Sequence, residues 1–290
     1  MAKRDILIVD DDRQVREVLN RIFIAAGYNC LLASDGFEGL EVFRKARPPL
    51  VVTDLRHPGI NGIELLQQVK AVDGDVAVIV LTGNADVKTA IACLKLGAYA
   101  FIMKPVNFDE LLITVERALE RRQLLIERRQ HQRAHGQRQE APREVLILVV
   151  EEERQVREAL RQIFDAAGYK CLLTGDVEEG LKVFGRSRPD LIVTDLGMPM
   201  SAVEGTRSRE AGFELLKLVR QVDPDAAVIV MSGTANVKIA IASLKLGAHA
   251  FLMKPINMDE LLITSERALE LRQLLIERRQ RQRPESQEGT

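Results

Sequence analysis

The chain has no tryptophan, and aromatic residues make up only 4% of its 290 positions. Without aromatic side chains beside them, its arginine-rich runs do not read as a nucleic-acid surface. Cysteine is scarce as well. Cys30, Cys93 and Cys171 make an odd count with no ligand spacing, which excludes a disulfide framework and a cysteine zinc site. Cys30 and Cys171 fall at equivalent places in strand-like runs and read as small buried hydrophobes. No apolar run reaches the roughly 18–20 residues that cross a bilayer. Asp5 and Asp10–Asp12 break up the N-terminal apolar stretch, so it is no signal peptide. Net charge is −1, which asks for no polyanionic partner. The composition, 46% hydrophobic and 29% charged, is that of a soluble protein, expected in the cytoplasm with neither membrane nor nucleic acid as partner.

What the chain does have is itself, twice. Ile63–Arg133 recurs as Phe213–Arg283 with most positions identical, so two whole domains are expected rather than a solenoid of small units. Polar residues that end apolar runs recur too. Asp54 in VVTDL returns as Asp195 in IVTDL, Thr82 in VIVLTG as Ser232 in VIVMSG, and Lys104 in FIMKP as Lys254 in FLMKP. Packing explains repeated Val and Ile but not repeated Asp, hydroxyl and Lys at strand ends.

In copy one, Ile6–Val9, Asn29–Ala33, Leu50–Thr53, Val76–Leu81 and Ala100–Met103 read as five strands. They are short, nearly continuous apolar runs, as strands buried on both faces should be. Helical patterns lie between them: Val15, Val18, Leu19 and Ile22 up to Gly27; Leu40 and Phe43; Leu65, Leu66 and Val69; Val87, Ala90, Ile91 and Leu94 up to Gly97. A fifth opens at Asn107 with Glu110 three residues on, close to a capping box. Five βα units predict an α/β fold, a doubly wound five-stranded parallel sheet in each copy. The expected limits are 1–130 for the first domain with its extended last helix, 131–143 for a linker holding Gly136 and Pro142, 144–281 for the second domain, and 282–290 for a disordered tail. The offset between copies changes from 141 at Asp195 to 150 at Lys254, so copy two carries nine extra residues within Met200–Ala211, either a tolerated surface insertion or a gate beside the site. Both last helices run on as Leu111–Gln130 and Leu262–Gln280. Their apolar seam (Leu112, Val115, Leu119 and Ile126 in copy one) predicts a homodimer, while Arg121–Arg122 and Arg128–Arg129, mixed with Glu120 and Glu127, read as a solvated face.

The strand ends carry the chemistry. In a parallel sheet Asp10, Asp11 and Asp12, then Asp54, Thr82 and Lys104 with Pro105, gather at one edge. Converging carboxylates repel unless neutralised, and oxygen ligands of this kind suit Mg²⁺. An Asp backed by a metal, a Lys and a hydroxyl is a phosphoryl-acceptor site.

On the motifs VDDD, VVTDLRHPGINGIELL, VLTG and GAYAFIMKP, both copies resemble receiver domains of two-component response regulators, and the resemblance spans nearly the whole chain. It implies that Asp54 accepts the phosphoryl group, that Asp10 and Asp11 hold Mg²⁺ with Asp54 and the carbonyl of Arg56, and that Lys104 contacts the phosphoryl group beside a cis Pro105. It also implies that Thr82 moves to bind a phosphoryl oxygen while Phe101 changes rotamer, passing the signal to helix four, strand five and helix five. In copy two the matching positions are Asp195, Ser232, Lys254 and Phe251, with Glu151, Glu152 and the carbonyl of Gly197 toward the metal. The Glu pair departs from the usual acidic pair, which leaves a pseudo-receiver used for dimerisation or docking as the alternative for that copy. A sensor histidine kinase or phosphotransfer protein is the implied phosphodonor, and with no output domain recognisable the implied output is contact with a downstream protein.

Two other functions compete: a phosphorylation-independent scaffold, and a phosphatase of the haloacid dehalogenase type using Asp10. The second lacks a later acidic pair and leaves Asp54 and Asp195 unexplained. His57 reads as a neutral loop residue, and His131 and His135, four apart, as solvent-exposed rather than metal-binding.

Overall fold

The computed structural model of the chain describes residues 5–83, 87–135, 144–200, 207–233 and 237–282. Gly136, Pro142 and the tail from 283 onward lie outside them. The chain divides into two compact units, Met1–Gln130 and His131–Thr290.

In the first unit β1 (Asp5–Val9), α1 (Arg13–Ala25), β2 (Asn29–Ala33), α2 (Gly36–Ala46), β3 (Leu50–Asp54), α3 (Gly62–Val72), β4 (Ala77–Thr82), α4 (Val87–Lys95), β5 (Ala100–Met103) and α5 (Phe108–His135) follow one another. The strands form one sheet in the order β2-β1-β3-β4-β5, every pair parallel. The order turns back at β1, and that is where a crevice opens at the carboxyl ends of a doubly wound sheet. One face buries Leu7, Val9, Phe43, Val51, Leu65 and Val69. The other buries Ile6, Ile8, Phe23, Leu50, Val52 and Leu111. Each such side chain contributes about 1.5–3 kcal/mol of transfer free energy. Alternate strand residues thus serve opposite faces, which is why the middles of β1, β3 and β4 are apolar.

Local signals stop the helices where the sequence places stops. Gly27 and Gly97 have φ of 89° and 93°, the left-handed conformation that closes α1 and α4. Helix α2 closes instead on Arg47 at φ 50°, with Arg188 at φ 47° in the same place in the second unit. No glycine marks either stop. Arg47 holds its place through hydrogen bonds to the carbonyls of Arg44 and Val72.

The second unit contains β6 (Leu146–Val150), α6 (Arg154–Ala166), β7 (Lys170–Thr174), α7 (Val177–Ser187), β8 (Leu191–Asp195), β9 (Met198–Pro199), β10 (Arg207–Ser208), α8 (Arg209–Val222), β11 (Ala227–Ser232), α9 (Val237–Lys245), β12 (Ala250–Met253) and α10 (Met258–Gln282). Its main sheet is β7-β6-β8-β11-β12, again parallel throughout. The two sheets are the expected pair of five-stranded doubly wound folds. Of the stretch that carries the extra residues of copy two, Arg207–Ser208 is a short strand. β9 and β10 pair antiparallel, Met198 with Ser208 and Pro199 with Arg207. Residues 201–206 lie outside the described set.

The last helices are longer than the sequence patterns predict. α5 continues to His135, into the expected linker, and α10 to Gln282, into the expected tail. Gln, Arg and Glu are good helix formers, so nothing local stops either helix. The predicted seam also divides. Val115 and Leu119 belong to the core under the sheet, while Leu112 and Ile126 are half-buried.

The cysteines are packing residues. Burial pushes the Cys30 thiol up to about 11 and the Cys171 thiol to about 12, and Cys93 is fully buried.

Candidate functional site

Asp54 and Thr82 are the last residues of β3 and β4, Asp10 follows β1, and Lys104 follows β5. These strands are neighbours in the sheet, so the four side chains arrive at one edge. Asp10 is 1% exposed, Asp54 8% and Thr82 1%. Buried charges persist only when paired. Here the Lys104 ammonium supplies the pairing, 2.8 Å from Asp10 Oδ2 and 3.0 Å from Asp54 Oδ1. Main-chain donors take the other carboxylate oxygens. The Arg56 N–H donates to Asp54 Oδ2 at 3.0 Å and the Asp12 N–H to Asp10 Oδ1 at 2.9 Å. Burial pushes the Asp10 carboxyl above its usual range, against the bonds from Lys104 and Asp12. Burial pulls Lys104 down, but its bonds to Asp10 and Asp54 outweigh this and hold it above the usual range for an ammonium.

Backbone geometry closes the site from below. A Cβ on Gly62 would stand 2.3 Å from the Asp54 carbonyl oxygen, so only glycine lets α3 start this close to β3. Both Lys104–Pro105 and Lys254–Pro255 are cis. Phe101, on β5, is half-buried and packs against the core under α2 and α3, and Phe251 occupies the matching place.

The second unit rebuilds the arrangement with a longer acid. The Lys254 ammonium lies 2.6 Å from Glu151 Oε2 and 2.7 Å from Asp195 Oδ2. Glu151 is fully buried, and burial raises its carboxyl against the Lys254 bond. The Gly197 N–H donates to Asp195 Oδ1 at 3.2 Å. Ser232 ends β11 and is buried.

The donor set tests the expected metal. Carboxylates of Asp10, Asp11 and Asp54 with the Arg56 carbonyl are hard oxygen ligands, which fits Mg²⁺ in chemistry. Among the described residues no three acidic, His or Cys side chains are already gathered as a ligand cluster. The Lys104 ammonium stands between Asp10 and Asp54, and Asp11 is exposed. The donor types thus fit a hard divalent cation, with Lys104 occupying the space between the two buried carboxylates. In copy two Glu151 already bonds Lys254 and the Glu153 N–H, and Glu152 is half-buried.

His57 lies in the loop after β3, as expected, but is buried there. It is 9% exposed, and its Nε2 lies 3.2 Å from the Thr53 hydroxyl, which itself donates to the Asp54 carbonyl. Met198, fully buried, takes its place in the second unit. His131 is exposed on α5, and the His135 side chain lies outside the described set.

Each doubly wound domain thus brings an acid, a lysine and a hydroxyl to the sheet edge at its switch point. The profile of the response regulator receiver domain matches residues 6–116 and 147–265, and the chain belongs to that family. Sporulation initiation phosphotransferase F of Bacillus subtilis is 35% identical over 119 residues, 41% of this chain and 96% of that protein. The C4-dicarboxylate transport transcriptional regulatory protein DctD of Pseudomonas aeruginosa is 39% identical over 139 residues, 48% of this chain. The match covers 30% of that protein, so most of the relative's length has no counterpart in it. Among solved structures, a receiver domain protein from Clostridium thermocellum is 32% identical over 42% of this chain and 98% of its own, with a TM-score of 0.41. Receiver domains are phosphoacceptors that interact with histidine kinases or phosphotransfer proteins and generally bind Mg²⁺ at the phosphorylation site.

Proposed function

We propose that the chain is a tandem-receiver response regulator, in which Asp54 accepts a phosphoryl group from a sensor histidine kinase or phosphotransfer protein and Asp195 is a second acceptor. The observation that carries this is the Lys104 ammonium held between Asp10 and Asp54 at the carboxyl edge of the sheet. Asp54 Oδ1 attacks phosphorus, a new O–P bond forms, and the P–N bond to the donor imidazole breaks, its electron pair remaining on nitrogen. Bound by Asp10, Asp11, Asp54 and the Arg56 carbonyl, Mg²⁺ would offset charge on the transferring oxygens. Lys104 leaves one carboxylate for a phosphoryl oxygen, and the Thr82 hydroxyl donates to another. That draws Thr82 inward and gives Phe101 room to follow, which couples the site to the surface of α4, β5 and α5. Ser232, Lys254 and Phe251 take these roles around Asp195, with Glu151, Glu152 and the Gly197 carbonyl toward the cation.

The proposed output is contact with a downstream protein, in the cytoplasm. Among the described residues no helix is long and apolar enough to cross a membrane. The extension of α5 or that of α10 forms a homodimer interface, and light scattering that gives a monomer mass with and without a phosphoryl analogue would contradict that part. A second reading holds for copy two alone: its acidic pair is Glu151 and Glu152, each one methylene longer than Asp10 and Asp11, which favours a docking module there.

Phosphate-affinity electrophoresis after acetyl phosphate and Mg²⁺ separates these readings. With two live sites, Asp54→Ala and Asp195→Ala each keep one shifted band and the double variant keeps none. If Asp54→Ala alone removes every shift, copy two is the docking module. No shift in the native chain, with acetyl phosphate or a histidine kinase as donor, contradicts the phosphoacceptor reading and leaves the scaffold.

A further inference from the structure

The acidic loop after β1 is held from behind by an arginine in both units. Arg16, one turn into α1 and half-buried, donates from Nη1 to the Asp10 carbonyl at 2.5 Å. Arg157, its counterpart, donates from Nη1 to the carbonyls of Glu151 and Glu152 at 2.5 and 2.9 Å. The bond survives although every acid in the loop has changed from Asp to Glu. In copy two the loop after β7 leaves room for it, since a Cβ on Gly175 would stand 3.3 Å from Arg157 Nη1.

That loop has reason to move. Asp10, Asp11 and Asp12 put three carboxylates on consecutive residues, and like charges this close favour spreading apart. The carboxylate of Asp10 is pinned by Lys104 and the Asp12 N–H. The carbonyl that joins Asp10 to Asp11 is pinned by the guanidinium. Its orientation fixes the direction from which the Asp11 side chain leaves the main chain. A guanidinium is well suited to such a role, because it stays charged and its several N–H groups can take two carbonyls at once.

We propose that Arg16 and Arg157 are positioning residues of the phosphoacceptor sites, which orient the acidic loop so that its carboxylates face the divalent cation. The inference rests on the phosphoacceptor reading above. Neither arginine touches the reacting atoms. Each acts through the main chain of a ligand residue, so its loss weakens the cation rather than the phosphoryl transfer itself.

The test uses the full chain with Asp195→Asn, so that only the first site takes a phosphoryl group, and compares it with the same chain carrying Arg16→Gln or Arg16→Lys. Mg²⁺ affinity is measured by calorimetry without any phosphodonor. The Mg²⁺ dependence of phosphorylation by acetyl phosphate is measured separately. In Arg16→Gln the Mg²⁺ dissociation constant and the half-saturating Mg²⁺ concentration rise about tenfold. The rate at saturating Mg²⁺ changes less than about twofold, because the transition-state contacts remain. Arg16→Lys keeps the charge and the stem, so it folds as the parent does and falls between the two. Unchanged Mg²⁺ affinity in both variants overturns the inference, whatever happens to melting temperature. A parent chain that neither binds Mg²⁺ nor takes a phosphoryl group overturns the phosphoacceptor reading, and the inference with it.

Discussion

Asp12 and Glu153 differ by one methylene, and the difference removes a helix cap. Asp12 accepts from the Gln14 N–H at 2.7 Å at the start of α1. Glu153 has nearly the same backbone conformation at the start of α6 but makes no side-chain cap bond. The longer side chain overshoots the N–H it should meet. Glu153→Asp is therefore expected to stabilise the second unit by about 0.5–1 kcal/mol, read as a higher urea midpoint with an unchanged slope. A second residue pair carries a pH dependence. Burial raises the carboxyls of Glu110 and Glu260, in the first turns of α5 and α10, above the usual 4.5. An acid whose folded pKa is raised binds its proton more tightly when folded, so its contribution to stability is highest at low pH and declines as pH rises through the folded pKa. Glu110→Gln with Glu260→Gln is expected to raise the melting temperature at pH 7 and to flatten its fall between pH 4.5 and 7. An unchanged profile would show that these carboxyls are solvated. At this scale the sequence revealed Asp54, Thr82 and Lys104, because a polar residue ending an apolar run is visible in one dimension. It did not reveal Arg16, or the burial of His57, because both depend on what packs across from them.

Among the elements, α5 and α10 departed most from expectation. The sequence presents Arg122 and Arg129 as part of a solvated face. Arg122 in fact pairs with Asp73 at 2.7 Å, the two side chains only 14% and 23% exposed, whereas Arg129, 59% exposed as a solvated face would be, also pairs with Asp75. Arg272 with Asp223 and Arg279 with Asp225 repeat the pattern. Two turns of helix separate the arginines, and one residue separates the aspartates, so each long helix is fastened to the loop between α3 and β4 or between α8 and β11. A charge pattern on a helix does not say what lies beside it, and Asp73 is 49 residues away in sequence. A double-mutant cycle of Arg122→Ala and Asp73→Ala should give a coupling of about 1–2 kcal/mol, above the range for exposed pairs because both groups are largely desolvated. A coupling below about 0.3 kcal/mol would mean that the pair is a surface contact of no consequence. The β9–β10 hairpin was likewise illegible beyond its length. The shift in offset counted nine added residues, but a two-residue strand pair is set by local backbone geometry that no periodicity reports.

Across the whole molecule, repetition made the fold legible. Two copies of one pattern of short buried strands and amphipathic helices admit few arrangements, and both units adopt the same strand order. The repeat also separates framework from chemistry. The Lys–acid bridge is kept in both units with Asp10 in one and Glu151 in the other, whereas His57 gives way to Met198. Asp54 is proposed to carry the phosphoryl group. Borohydride reduction of the chain after treatment with acetyl phosphate and Mg²⁺, followed by peptide mass mapping, converts an acyl phosphate to an alcohol at the residue that bore it. Homoserine at position 54 is the expected product. Homoserine confined to position 195 or to any other aspartate, with position 54 unchanged, would contradict it.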